Sequence, residues 1–68
     1  MISFEPFWKT IKEKGISTYS LIKDYGFSKG TIDNMKHDRN MTLASIEDIC
    51  NKLNITINEV IEYKRNEL

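Results

Sequence analysis

The stretch that most constrains this chain is STYSLIKDYGFSKGTIDNM, which covers residues 17–35. Its apolar residues fall at helical spacing on both sides of one glycine: Leu21, Tyr25, Ile32 and Met35. Within each pair the residues lie three or four apart, so they share one face of a helix. Gly26 stands between the pairs, where a chain commonly enters the left-handed conformation that glycine adopts without a side-chain penalty. The pattern predicts two short helices that meet at a sharp turn, a helix-turn-helix.

The flanking residues place the two helices of this motif. Ser17 is expected to cap the first of them, which reaches to about Tyr25. Phe27 is expected to fill the angle between the helices. Ser28 offers a hydroxyl to cap the second, which runs from Ser28 to about Lys36.

A helix is also predicted before the motif and another after it. The first runs from about Phe4 to Lys14, with Pro6 in its first turn and Gly15 at its end. Its apolar stripe is assigned to the core rather than to a ligand site: Phe4, Phe7, Trp8 and Ile11. After a polar loop, Thr42 caps a helix from Leu43 to Leu53. The inward face of this helix is predicted to comprise Leu43, Ile46, Ile49, Cys50 and Leu53.

The chain ends with a further predicted helix. Thr56 and Glu59 have the spacing of a capping box, so a fifth short helix should run through about Tyr63, and residues 64–68 should fray. Its apolar side is expected to comprise Ile57, Val60 and Ile61. The expected fold is therefore all-α, a compact bundle of five short helices. It forms a single domain over residues 1–68, with the helix-turn-helix at about 17–36.

Length and composition narrow the classes of function. The chain has 68 residues, ten Lys or Arg, ten Asp or Glu, one His and one Cys. Its apolar runs are too short for a membrane span, its first residues lack the pattern of a secretory signal, and Cys50 cannot form an internal disulfide. We therefore expect a cytoplasmic location. His37 has no evident nucleophile or acid partner, so we expect no enzyme activity, cofactor, metal ion or small-molecule ligand.

The core set of the motif resembles that of a known family. The chain resembles the small helix-turn-helix domains of the phage lambda repressor and Cro proteins, the XRE type. The resemblance rests on the apolar residues already named, Gly26 at the turn, the helix before the motif and the phrase KLNITINEVIEY after it. The resemblance covers nearly the whole chain. It implies a lambda repressor-like fold and a sequence-specific, double-stranded DNA-binding transcriptional regulator that acts as a repressor.

Two positions depart from the pattern of that family. Ile22 stands where members usually carry a small residue, so either the two helices sit further apart or this side chain leans outward. Gly30 stands in the first turn of the second motif helix, where members often carry a base-reading side chain. This glycine permits close approach to a phosphate, leaves the DNA contacts to be shared differently among other residues, or is simply tolerated there.

If the helix at about 28–36 lies in a major groove, its N-terminal end and next turn face the base edges. Lys29 can donate to guanine, Asn34 can pair with adenine, and Thr31 can touch a thymine methyl. The expected base-reading residues are Ser28, Lys29, Thr31 and Asn34. Asp33 either accepts from cytosine or, as we favour, forms an ion pair on the helix surface with a neighbouring lysine.

Other polar residues on either side of this helix are expected to contact the DNA backbone, which positions a protein without specifying a sequence. Thr18 and Tyr19 lie at the positive end of their helix, which attracts anions. The full set expected to contact phosphate is Thr18, Tyr19, Lys36, His37, Arg39 and Asn40. For His37, plain solvent exposure is the alternative.

The charge balance leaves a second hypothesis open. The net charge is zero, although residues 1–40 carry seven Lys or Arg against five Asp or Glu. A monomer should therefore bind DNA weakly, and a homodimer that pairs around Ile57, Ile61 and Tyr63 would overcome this. The alternative to a DNA-reading regulator is a protein-interaction module, a partner of another regulator or of a toxin, with weak DNA affinity.

Overall fold

The computed structural model describes residues 1–65, which form four α-helices, a short 3-10 helix and a two-stranded sheet. In chain order the elements are β1 Ile2–Ser3, α1 Glu5–Glu13, α2 Thr18–Lys23, α3 Lys29–Lys36, α4 Leu43–Leu53, the 3-10 helix Ile57–Glu59 and β2 Glu62–Tyr63. The two strands are antiparallel and bring the two ends of the described chain together.

Hydroxyl caps start three of the four helices, as the sequence predicted. The side chains of Ser17, Ser28 and Thr42 each accept a hydrogen bond from the backbone N–H three residues further on. Each bond satisfies one of the amides that a helix start leaves without a partner. Asn54 ends α4 in the left-handed conformation.

The core lies where the apolar stripes of the helices meet. Twelve apolar residues are buried in it: Phe4, Phe7, Ile11, Leu21, Phe27, Ile32, Met35, Ile46, Ile49, Leu53, Ile55 and Val60. Phe27 fills the angle between α2 and α3, with its ring centroid 6.1 Å from that of Phe7 on α1. The expected core of the motif is therefore confirmed, with Tyr25 and Ile22 packed at its margin.

The prediction of an all-α bundle of five helices is wrong in its last element. The capping-box residues Thr56 and Glu59 do interact, but the helix they start is a single 3-10 turn. Residues 62–63 then extend and pair with residues 2–3, about sixty positions earlier. Such a long-range pairing cannot be recognised from local sequence periodicity, whereas a capping box can be recognised from two residues three positions apart.

Some predicted bounds and faces also differ. α2 ends at Lys23 rather than near Tyr25. Leu43 is 79% exposed, because the first residue of α4 lies outside the face that Ile46 and Ile49 share, and Cys50 is only partly buried. Lys64 does not fray, since its N–H and carbonyl pair with the carbonyl and amino group of Met1. The rest of the predicted frayed end, residues 66–68, lies outside the described residues.

Candidate nucleic-acid interface

The turn between α2 and α3 fixes how the two helices cross. Gly26 has a φ of +75°, in the left-handed region, and the N–H of Phe27 then donates back to the carbonyl of Leu21 at 2.9 Å. This bond satisfies a carbonyl at the end of α2. From α4, Lys52 donates its Nζ to the carbonyl of Gly26 at 3.0 Å. The turn is thus held from within and from a neighbouring helix.

A shallow groove runs between α2 and α3 on the outer surface of the motif. Its lining residues are Thr18, Ile22, Lys29, Ile32, Asp33 and Lys36. The floor is apolar, whereas the rim carries two lysines, one hydroxyl and one carboxylate. Ile22 is half-buried and reaches this groove, which is the outward position that the sequence left open.

The four expected base-reading residues do not share one face. Lys29 is exposed at the start of α3, on the rim of the groove. The hydroxyl of Ser28 caps α3. It accepts a hydrogen bond from the N–H of Thr31 and donates one to the Oγ1 of Thr31 at 2.9 Å. Thr31 lies on the other flank of α3 and lines a crevice against α4. Asn34 is half-buried, one turn after Gly30.

Asp33 forms an ion-pair cluster on the exposed surface of α3. Arg39 donates from Nη1 to its Oδ2 at 2.5 Å, and the Nδ1 of His37 lies 3.3 Å from its Oδ1. The hydrogen bond from Arg39 holds the pKa of the Asp33 carboxyl below its usual range. The predicted ion pair is therefore present, but its partner is an arginine from the following loop rather than a lysine.

Five of the six expected phosphate-contacting residues lie on α2, at the end of α3 or in the loop after α3. Lys36 lies on the rim of the groove, and Arg39 and Asn40 line a small apolar cavity beyond the end of α3. Tyr19, near the start of α2, has the ammonium of Lys23 5.5 Å from its ring centroid. Thr18 is half-buried and completes the groove. The described surface thus places hydroxyl groups at the start of α2 and cationic groups at the end of α3 and just after it.

Two residues that position this surface were missed by sequence reasoning. Asp38 has a φ of +51° directly after α3, and its Oδ1 accepts the N–H of Phe4 at 2.8 Å. Lys52 holds the motif turn from 26 residues away. An aspartate after a helix end is a weak local signal for the left-handed conformation, but neither side-chain contact has a signal in the sequence.

Comparison with known proteins assigns the family. No α-helix within residues 1–65 is long and apolar enough to span a membrane. Neither the curated proteins nor the solved structures contain a significant match to this chain. The family model described as the Cro/C1-type HTH DNA-binding domain matches residues 7–66. This match covers most of α1, the turn at Gly26, α3 and α4, and the chain therefore belongs to the Cro/C1-type helix-turn-helix DNA-binding domain family.

Proposed function

We propose that this protein is a sequence-specific transcriptional regulator that reads the major groove of double-stranded DNA with α3. The observation that carries the proposal is the exposed first turn of α3, which follows the left-handed turn at Gly26 and borders a groove whose rim carries Lys29 and Lys36. A helix presented in this way enters the groove with its first residues against base edges.

Within this proposal Lys29 and Asn34 are the base readers. Lys29 donates to guanine O6 or N7, and Asn34 pairs with adenine. Ser28 and Thr31 contribute through the oxygen lone pairs that their mutual hydrogen bond leaves free. The flanking cations and hydroxyls, Thr18, Tyr19, Lys36, His37, Arg39 and Asn40, contact phosphate and set the register.

We further propose that the protein acts as a homodimer. Apolar side chains cluster beside the end of α3: Ile2 and Leu43 share a cavity with Ile61, and Ile2 is paired with Tyr63 across the sheet. We call these four residues the apolar patch. Tyr63 is 68% exposed and Leu43 79% exposed. If a second copy covers the patch with its own α3 on the same side, two half-sites about 34 Å apart could be read.

We propose repression rather than activation. A small protein bound at a promoter can exclude polymerase without making any further contact. Its site of action would be the cytoplasm. The alternative, a protein-interaction module with weak DNA affinity, is favoured by one observation: Asp33 neutralises a cation on the surface that would meet DNA.

Methylation interference tests the proposed groove directly. Methyl groups on guanine N7 lie in the major groove, whereas those on adenine N3 lie in the minor groove. We expect guanine N7 methylation within the bound site to abolish binding and adenine N3 methylation to leave it unchanged. Interference from adenine N3 alone would contradict the placement of α3.

A further inference from the structure

The proposed contacts leave one group on α3 without a role, the carboxylate of Asp33, which lies among three of them. Its two carboxylate oxygens each face a separate side chain, Oδ2 the guanidinium of Arg39 at 2.5 Å and Oδ1 the imidazole of His37 at 3.3 Å. The same Nη1 of Arg39 lies 3.3 Å from the Oδ1 of Asn34. A carboxylate, an amide and two basic groups therefore meet on the surface of α3 that the proposed function turns toward DNA.

The backbone after α3 brings these groups together. The left-handed Asp38 reverses the chain, and the N–H of Arg39 then donates to the carbonyl of Asn34 at 2.9 Å. Asp38 is itself fixed by the N–H of Phe4. Backbone hydrogen bonds thus hold Arg39 beside the last turns of α3. Its guanidinium therefore loses little additional conformational entropy when it contacts Asp33.

Asp33 and Arg39 are in contact, but another anion can replace Asp33 as the partner of Arg39. The side chains of Asp33 and Arg39 are each about half exposed, at 53% and 52%. Ion pairs with this exposure are weak and screened by salt. A DNA phosphate, which accepts from a guanidinium in the same forked geometry as a carboxylate does, can take the place of Asp33. The exchange leaves the freed carboxylate beside the anionic backbone, where it is repelled.

We propose that Asp33 competes with DNA phosphate for Arg39, so that it lowers the affinity for every duplex and leaves selection of a site to the base contacts. This inference rests on the proposed function. Asp33 then sets the overall affinity for DNA without touching a base, since it weakens the sequence-independent contribution that is common to all duplexes.

The test uses Asp33→Asn, which keeps the shape of the side chain and removes its charge. Affinity for a selected duplex and a scrambled duplex is measured by fluorescence anisotropy across a salt series. We expect the variant to bind both duplexes roughly five- to tenfold more tightly at low salt, with a salt slope steeper by about one. Glu13→Gln changes the net charge equally at the exposed end of α1 and should leave both affinities nearly unchanged.

Arg39→Ala distinguishes competition for Arg39 from simple repulsion by a carboxylate. If Asp33 acts by occupying Arg39, the gain from Asp33→Asn should be larger when Arg39 is present than in the Arg39→Ala background. An equal or larger gain without Arg39 would overturn the inference, because repulsion alone predicts that result.

Two further outcomes separate this inference from the proposed function. If the wild type shows salt-dependent binding and Asp33→Asn loses affinity for the selected duplex alone, Asp33 reads a base, and the competition is refuted while the proposed function stands. If neither the wild type nor any variant shows salt-dependent binding to any duplex, the proposed function fails and the competition with it.

Discussion

The Nζ of Lys52, near the end of α4, lies 3.0 Å from the carbonyl oxygen of Gly26 in the turn between α2 and α3. The same ammonium lies 2.9 Å from Asp48 and 5.4 Å from the ring centroid of Phe27. One side chain therefore joins α4 to the backbone turn and to the aromatic ring beneath it. The turn that precedes α3 is thus held by a residue 26 positions away in sequence.

This relationship predicts the effect of Lys52→Met, which keeps most of the aliphatic stem and removes the donor. We expect the free energy of unfolding to fall by about 1 kcal/mol, because the Gly26 carbonyl loses a protein partner but remains reachable by water. Denaturant titration followed by circular dichroism measures the change. Lys12→Met, at an exposed position of α1, is the matched control and should change stability by less than about 0.5 kcal/mol.

The same substitution at two glycines should have opposite effects. Gly26→Ala forces a side chain into a φ of +75° and should destabilise the protein by about 1–2 kcal/mol. Gly30→Ala, in the first turn of α3, places its Cβ 3.9 Å from the nearest surrounding atom and should stabilise the protein by about 0.5–1 kcal/mol. Thermal melts of the two variants check the signs. Similar stability for both would contradict the conformation assigned to the turn.

Glu59 should contribute a pH-dependent part of the stability. The N–H of Thr56 donates to its carboxylate at 3.0 Å and the Thr56 hydroxyl at 3.1 Å, and these bonds lower the pKa of Glu59. Because the pKa is lower in the folded state, the stabilisation is complete above the unfolded-state value and is lost as pH falls through the folded-state value. Unfolding measured between about pH 6 and pH 3 should show a shallower decline for Glu59→Gln than for the wild type. Parallel curves would exclude this role.

Lys29 and Lys36 should behave differently although both border the groove between α2 and α3. Lys29→Ala should weaken binding to a selected duplex by about 1–3 kcal/mol and affect a scrambled duplex less, because a base contact is lost. Lys36→Ala should weaken both duplexes about equally and reduce the salt slope by about one. Equal losses from both variants on both duplexes would refute the division into a base reader and a phosphate contact.

The proposed dimer depends on the apolar patch. Leu43→Glu places a charge within it and should leave a monomer at concentrations where the wild type is a dimer, since burial of an unpaired carboxylate is unfavourable. Ala44→Glu adds the same charge at the next residue, which lines the crevice between α3 and α4 instead, and should not change the mass. Analytical ultracentrifugation measures both. A wild type that sediments as one chain with and without DNA would remove the dimer.

Much of the fold could be predicted because its signals are local. The hydroxyl caps at Ser17, Ser28 and Thr42 and the glycine at position 26 act within three or four residues of where they stand. The apolar periodicity of the motif likewise depends on neighbours one turn apart. From these signals the position of α3 in the chain could be predicted, and with it the candidate interface.

The remainder depends on contacts between distant residues. The pairing of Ile2 with Tyr63, the bond from Asp38 to Phe4 and the reach of Lys52 to Gly26 join segments that no local pattern connects. Helical spacing predicts Leu43 on the inward face of α4, but this first residue of the helix lies outside the face that packs on the core and is exposed. For Asp33 an ion pair could be expected, whereas its partner could be identified only once the loop after α3 was placed.

Selection of bound fragments from a random duplex library tests the central claim most directly, followed by titration of the enriched site and a scrambled duplex across a salt series. We expect enrichment of a short site, with two inverted halves if the dimer forms, and an affinity that falls steeply as salt rises. A folded protein that enriches no sequence and shows no salt-dependent binding would contradict this claim and favour the protein-interaction module.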